Sequence, residues 1–207
     1  MHCPDMCLLA TMCLWLWLSI LFCLQVRSYA TEIDARQVLS PPYNYWLKKR
    51  SGGADTSFTG NMRCTQLEYM EDTDISDIVT LSTRNNKTFD WNMTMFEARV
   101  SSDDKAVLNY KTFDPENGDS IVTVEYAVLY IAQNYCYIVE KRQPGQSAIL
   151  NSVTKQSKCE LWVVTEKDSD RRDSNPNKPT MSDCLSQFES MCSAGEEVYS
   201  RDICGDT

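Results

Sequence analysis

The sequence predicts an all-β chain: an eight-stranded antiparallel up-and-down barrel with a short N-terminal helix and a C-terminal helix packed on its wall. From Tyr43 to Val164, apolar and polar residues alternate in short stretches separated by turn residues, the pattern of half-buried strands rather than of alternating β and α units. There are eight such stretches, enough to close a barrel that has no exposed edges and holds one small ligand. After Pro179, residues Met181, Cys184, Leu185, Phe188, Met191 and Cys192 recur at helical spacing on one face, which suits packing against a barrel wall.

The predicted strands span 43–49, 61–70, 78–83, 88–100, 105–112, 120–132, 136–141 and 157–165. Pro115-Glu116-Asn117-Gly118 is the clearest hairpin turn, because Asn-Gly readily takes positive φ. The short first helix is expected over 31–39, with Thr31 and Asp34 in capping-box-like spacing and Pro41-Pro42 ending it. Residues 166–178 carry no apolar side chain apart from Pro176 and read as a solvated, charged loop.

Residues 1–30 read as a signal peptide, with an apolar run over 8–26, then Arg27 and a small-x-small end at Ser28-Tyr29-Ala30. The run is long for a leader and is preceded by His2 and Asp5 rather than basic residues, so a retained anchor is the alternative. Residues 31–207 then form one domain, secreted and extracellular. It keeps six cysteines, Cys64, Cys136, Cys159, Cys184, Cys192 and Cys204, an even number that reads as three disulfides in an oxidising compartment. Asn86-Lys87-Thr88 and Asn92-Met93-Thr94 are glycosylation sequons consistent with that route.

Composition excludes several functions. The only histidine is His2, inside the leader, so the domain lacks the residue that Ser-His-Asp, Cys-His and common zinc sites require. No phosphate loop, nucleophile elbow or framed acidic pair occurs, and the reading is a non-enzyme with no cofactor and no metal. The formal net charge is −9, and loss of the leader, with Asp5 and Arg27, leaves it unchanged. Nucleic acid and anionic membranes are therefore poor partners. A small molecule in a monomeric barrel is the expected partner.

Two strands carry the candidate site. Alternation sends Glu160, Trp162 and Val164 one way and Cys159, Leu161 and Val163 the other. A carboxylate inside apolar walls is costly without company, so Glu160 requires a cationic ligand, an internal Arg or Lys partner, or exposure at the barrel mouth. In the stretch 88–100, Phe89, Trp91, Met93, Met95 and Glu97 share one face and sequon Asn92 lies on the other. A glycan must lie outside, so the aromatic face is expected to point inward; Glu97 is then a second internal acid or a rim residue. Trp91 and Trp162 are suited to stacking on an imidazole or indole, with cation–π attraction of about 0.5–2 kcal/mol.

Met62-Arg63-Cys64, Asn134-Tyr135-Cys136, Glu160-Leu161-Trp162, the run Asp183-Cys184-Leu185-Ser186-Gln187-Phe188, and Asp202-Ile203-Cys204 together resemble the tick salivary lipocalins of the histamine-binding protein family. The resemblance implies a secreted lipocalin-type barrel of tick saliva that sequesters a host mediator. It also implies the disulfides Cys64–Cys204, Cys136–Cys184 and Cys159–Cys192. In that family's amine-binding pattern an acid follows the cysteine that opens the seventh strand; here Tyr137 stands there. Asp55 falls where the family has an acidic pocket residue, and Glu97 lies near another. The implied ligand is a biogenic amine, histamine or serotonin, held by Glu160, Trp162, Asp55, Glu97, Trp91, Phe89 and Tyr137. An eicosanoid or fatty-acid carrier, which Tyr137 favours, and a protein-binding inhibitor of complement or haemostasis are the alternatives.

Overall fold

The computed structural model describes residues 32–39, 44–53, 58–60, 63–72, 77–85, 88–112, 123–132, 135–142, 158–164 and 180–204. The described elements are, in chain order, helix α1 (Arg36–Leu39), strands β1 (Tyr45–Ser51), β2 (Gln66–Asp72), β3 (Asp77–Arg84), β4 (Trp91–Val100), β5 (Val107–Thr112), β6 (Thr123–Ala132), β7 (Cys136–Arg142) and β8 (Cys159–Val164), helix α2 (Met181–Met191), the short strand β9 (Gly195–Glu197) and helix α3 (Arg201–Cys204). Among the described residues no helix is long and apolar enough to cross a membrane.

Strands β2 to β8 follow one another around the sheet, β1 pairs with β8, and β1 returns to β2 to close the barrel. The barrel is therefore eight-stranded, antiparallel and up-and-down, the fold that the alternation predicts. Its closing seam is brief: Tyr45 lies opposite Leu67 and Trp46 opposite Gln66. Further along the same edge of β1, strand β9 takes over, pairing Lys49 with Glu197, Arg50 with Glu196 and Ser51 with Gly195. A Cβ at Gly195 would lie 2.5 Å from the Arg50 carbonyl oxygen, so a residue without one is needed for this close approach. Neither β9 nor α3 has a sequence pattern strong enough to be expected, since each is only a few residues long.

Inside the barrel, Leu47, Leu67, Val79, Leu81, Phe96, Ala98, Leu108, Tyr110, Val124, Tyr126, Val128, Tyr137, Val139, Trp162 and Val164 form one apolar cluster. Phe58 joins it from the β1–β2 connection rather than from a strand. A second cluster lies on the outer wall, where Ile138, Leu161 and Val163 meet Cys184 and Phe188 of α2. This is the helical face read from the sequence. Thr180 caps the helix: its side chain accepts from the Asp183 N–H while the Asp183 carboxylate accepts from the Thr180 N–H, a capping box. Helix α1 is shorter than expected, and Thr31 lies outside the described residues; Asp34 Oδ1 accepts from the Arg36 N–H at 2.9 Å.

Three disulfides bond the layers together. Cys64–Cys204 ties the chain ahead of β2 to α3, while Cys136–Cys184 and Cys159–Cys192 fasten α2 to β7 and β8. The first spans 140 residues of sequence. In the chain-entropy description, opening a loop of that length costs about 4–5 kcal/mol. The Cys64→Ala/Cys204→Ala double variant is accordingly expected to lose several kcal/mol in urea denaturation, whereas loss of the Thr180 cap by Thr180→Ala costs about 1 kcal/mol.

Candidate functional site

Deep inside the barrel, Arg50 and Glu160 form a buried charge pair. A β-bulge between Leu47 and Lys49 shifts the register of β1 against β8, so that Leu47 faces Trp162 and Arg50 faces Glu160. Without that extra residue, strict alternation would put Lys49 inside and Arg50 outside. Arg50 and Glu160 are 3 % and 2 % exposed, with Arg50 Nε 3.7 Å from Glu160 Oε1. Thr59 joins them: Arg50 Nη2 donates to Thr59 Oγ1 at 3.0 Å, and the Thr59 hydroxyl donates to Glu160 Oε1 at 2.8 Å. The Trp162 indole N–H donates to Glu160 Oε2 at 3.3 Å. So Glu160 is buried with an internal arginine as its partner, one of the three arrangements that physical chemistry allows.

Burial raises the Glu160 carboxyl above its ordinary 4.5, against the opposing pull of Arg50 and of the Thr59, Trp162 and Tyr126 groups. The Tyr126 hydroxyl faces this carboxylate, and burial holds its own pKa well above 10. Neither the Tyr126 hydroxyl nor Arg50 Nε finds a partner of hydrogen-bond geometry among the described residues.

Around the pair stands an aromatic cage. Tyr137 stacks nearly parallel on Trp162 with ring centres 6.2 Å apart and meets Tyr45 edge-on at 4.8 Å. The Phe58 ring lies 4.8 Å from Phe96, 5.0 Å from Tyr110 and 5.6 Å from Tyr126. Phe58, Leu67, Tyr110, Tyr126, Tyr137, Val139 and Trp162 leave a void of only about 10 Å³ between them. That is space for one water at most. A ligand must therefore displace a side chain, and Phe58, carried on a connection, is the one not fixed by a strand.

The candidates from the sequence fall into three groups. Glu160, Trp162 and Tyr137 come together in the bore. Phe89, Trp91 and Glu97 do not: the expectation that their face points inward is corrected by β4. Its pairing with β3 runs from Asp77–Ala98 to Arg84–Trp91 without a bulge, and Phe96 and Ala98 lie in the interior cluster, so Trp91, Met93, Met95 and Glu97 point out. Glu97 pairs with Arg99 on the outer surface. Trp91 lies 6.2 Å from Trp46, which stacks on Tyr199, and Phe89 is 60 % exposed at the β3–β4 turn. The inference from the sequon fails because Asn92, though it shares the inward parity of Phe96, sits where β4 has left the core and is exposed. Asp55 and Asn86, together with the 115–118 turn and the 166–178 loop, lie outside the described residues.

Arg50, Thr59, Phe58, Tyr110 and Tyr126 are site residues that sequence reasoning missed. Tyr110 and Tyr126 were legible in principle, since each alternates with buried apolar neighbours, Leu108 for one and Val124 and Val128 for the other. Arg50 was not, because it depends on the bulge, and Lys48-Lys49-Arg50 gives no sign of which cation turns inward.

Removing one member of a buried ion pair leaves the other uncompensated and costs about 3–5 kcal/mol, whereas replacing both with apolar side chains is neutral or stabilising. Glu160→Gln is thus expected to destabilise by about 3 kcal/mol and the Arg50→Met/Glu160→Leu pair by less than about 1 kcal/mol, as read by urea denaturation. The pH dependence follows from the raised carboxyl. The native state binds that proton more tightly than the unfolded chain, so the group's stabilising contribution is full below pH 4.5 and is lost as pH rises through the raised value. This slope should vanish in the double variant.

Comparison with known proteins places the chain. Several solved structures resemble it at low identity. Japanin from Rhipicephalus appendiculatus bound to cholesterol is 16% identical over 76% of this chain and 91% of that one, with a TM-score of 0.49. Apocrustacyanin C2 is 7% identical over 77% of each chain at 0.48, and a biogenic amine-binding protein is 11% identical over 84% of this chain and 89% of that one at 0.41. No curated protein matches the sequence. The model of the family described as tick histamine binding protein matches residues 25–205. With residues 25–205 covered by that match, this small-ligand-binding barrel belongs to the tick histamine-binding protein family.

Proposed function

We propose that the protein is a secreted, monomeric, non-enzymatic carrier, residues 31–207 after loss of a signal peptide, that withdraws a host mediator from solution by holding it in the barrel. Three disulfides and the apolar leader run support the secretory route. The mediator we favour is a lipid with an oxygen-acceptor head, of the eicosanoid or fatty-acid class. One observation carries this: the fully buried carboxylate in the bore, Glu160, is already matched by Arg50, while Arg50 Nε and the Tyr126 hydroxyl are buried donors that meet no acceptor at hydrogen-bond distance among the described residues. A carboxylate or hydroxyl oxygen would satisfy both. An ammonium beside Glu160 would meet the Arg50 guanidinium instead.

The second reading is histamine or serotonin. It is favoured by the Phe58 ring and Thr59 hydroxyl, which together occupy an aromatic cage and a Glu160 oxygen much as an aromatic amine would. The two readings separate in one calorimetric series with arachidonate, a leukotriene, histamine and serotonin. The lipid reading expects uptake of the fatty-acid class and no heat from either amine at high micromolar concentration. Tyr126→Phe removes only the hydroxyl that faces Glu160 and leaves the ring packing intact. It should weaken lipid binding by about 1 kcal/mol, roughly fivefold, and leave any amine binding unchanged. Amine binding in the parent protein with no lipid uptake would reverse the assignment.

A further inference from the structure

Outside the barrel, a second concavity of about 330 Å³ is lined by Arg63, Cys64, Arg84, Asn85, Phe89 and Ile203. It lies where the β3–β4 turn, the chain ahead of β2 and helix α3 meet. We propose that this concavity is a second binding site, for a small amphipathic anion: one oxyanion group joined to an aromatic or alkyl body.

Charge, apolar surface and backbone conformation each support this. Two guanidinium groups face one small space in a chain of net charge −9, a local reversal of sign that attracts anions. They have different duties. Arg84 is committed to the scaffold: Nη1 donates to the Ile203 carbonyl at 2.8 Å, Nε donates to the Phe89 carbonyl at 3.4 Å, and the guanidinium lies 5.2 Å from the centre of the Phe89 ring. Arg63 is exposed and forms no ion pair with a described residue, which leaves its planar fork for an oxyanion. Beside these cations the wall is apolar and wet, with Phe89 60 % and Ile203 41 % exposed. Large apolar side chains held in water beside cations suit a ligand with an apolar body.

The backbone points to the same place. Among the described residues only two without the freedom of glycine have positive φ, Cys64 at 59° and Phe89 at 62°, and both line this concavity. Such conformations persist where surrounding structure holds them, and they cluster at ligand sites. Here the Cys64–Cys204 disulfide and the two Arg84 hydrogen bonds do the holding.

Phenyl phosphate is the probe, with benzyl alcohol as its uncharged counterpart, titrated into the purified full chain by calorimetry. Binding of phenyl phosphate is expected, weakening as salt is added, with none from benzyl alcohol. Arg63→Gln should lower affinity about tenfold. Phe89→Ser should lower it several-fold; both residues are exposed, so neither change disturbs the core. The proposal is overturned if phenyl phosphate gives no heat, if benzyl alcohol binds as well, or if both variants bind phenyl phosphate as tightly as the parent.

Discussion

Arg50 and Glu160 face each other across the β1–β8 pairing, and the cost of keeping both charges out of water constrains everything nearby. An isolated buried charge costs several kcal/mol, so neither side chain tolerates the other's absence. That requirement fixes the register of β1 through its bulge, draws Thr59 and the Phe58 ring inward with it, and uses the Trp162 indole N–H as a third support. The same pair determines ligand selection. With the buried Glu160 carboxylate matched by its own cation, the pocket around it is close to neutral, so selection there passes to hydrogen-bond donors and to ring packing.

The fold was legible because alternation is robust: a strand that buries one face must show period two, and eight such stretches leave few architectures. The inward face of β8 was read correctly for the same reason, since Cys159, Leu161 and Val163 needed an apolar partner and α2 supplied one. The face of β4 was misread because its first half protrudes beyond the core, where exposure and parity part company. There a sequon indicates only that Asn92 meets water, which both orientations permit. Only the second half, where Phe96 and Ala98 enter the core, fixes the parity. Arg50 was hidden for a different reason. A bulge is a one-residue insertion decided by pairing with a distant strand, and no local pattern in Lys48-Lys49-Arg50 encodes it.

The outward turn of Phe89 removes it from the interior ligand and gives it other work. With Arg84 over its ring and Ile203 alongside, it joins the β3–β4 turn to the last helix, a junction far along the chain from either partner. The apolar residues of β4 that were expected to line the interior therefore describe the outer surface, while the interior is built from tyrosines that alternate quietly along β5, β6 and β7.

The seam between β1 and β2 has a consequence for biosynthesis. Only two residue pairs join these strands directly, and the rest of that edge of β1 is completed by Gly195–Glu197, far along the chain. A chain emerging residue by residue has its first strand long before the segment that finishes pairing it. Strand β1 must wait with one edge partly open until residues 195–197 have been made, about 145 residues later, and loss of β9 would leave that edge available to other polypeptides.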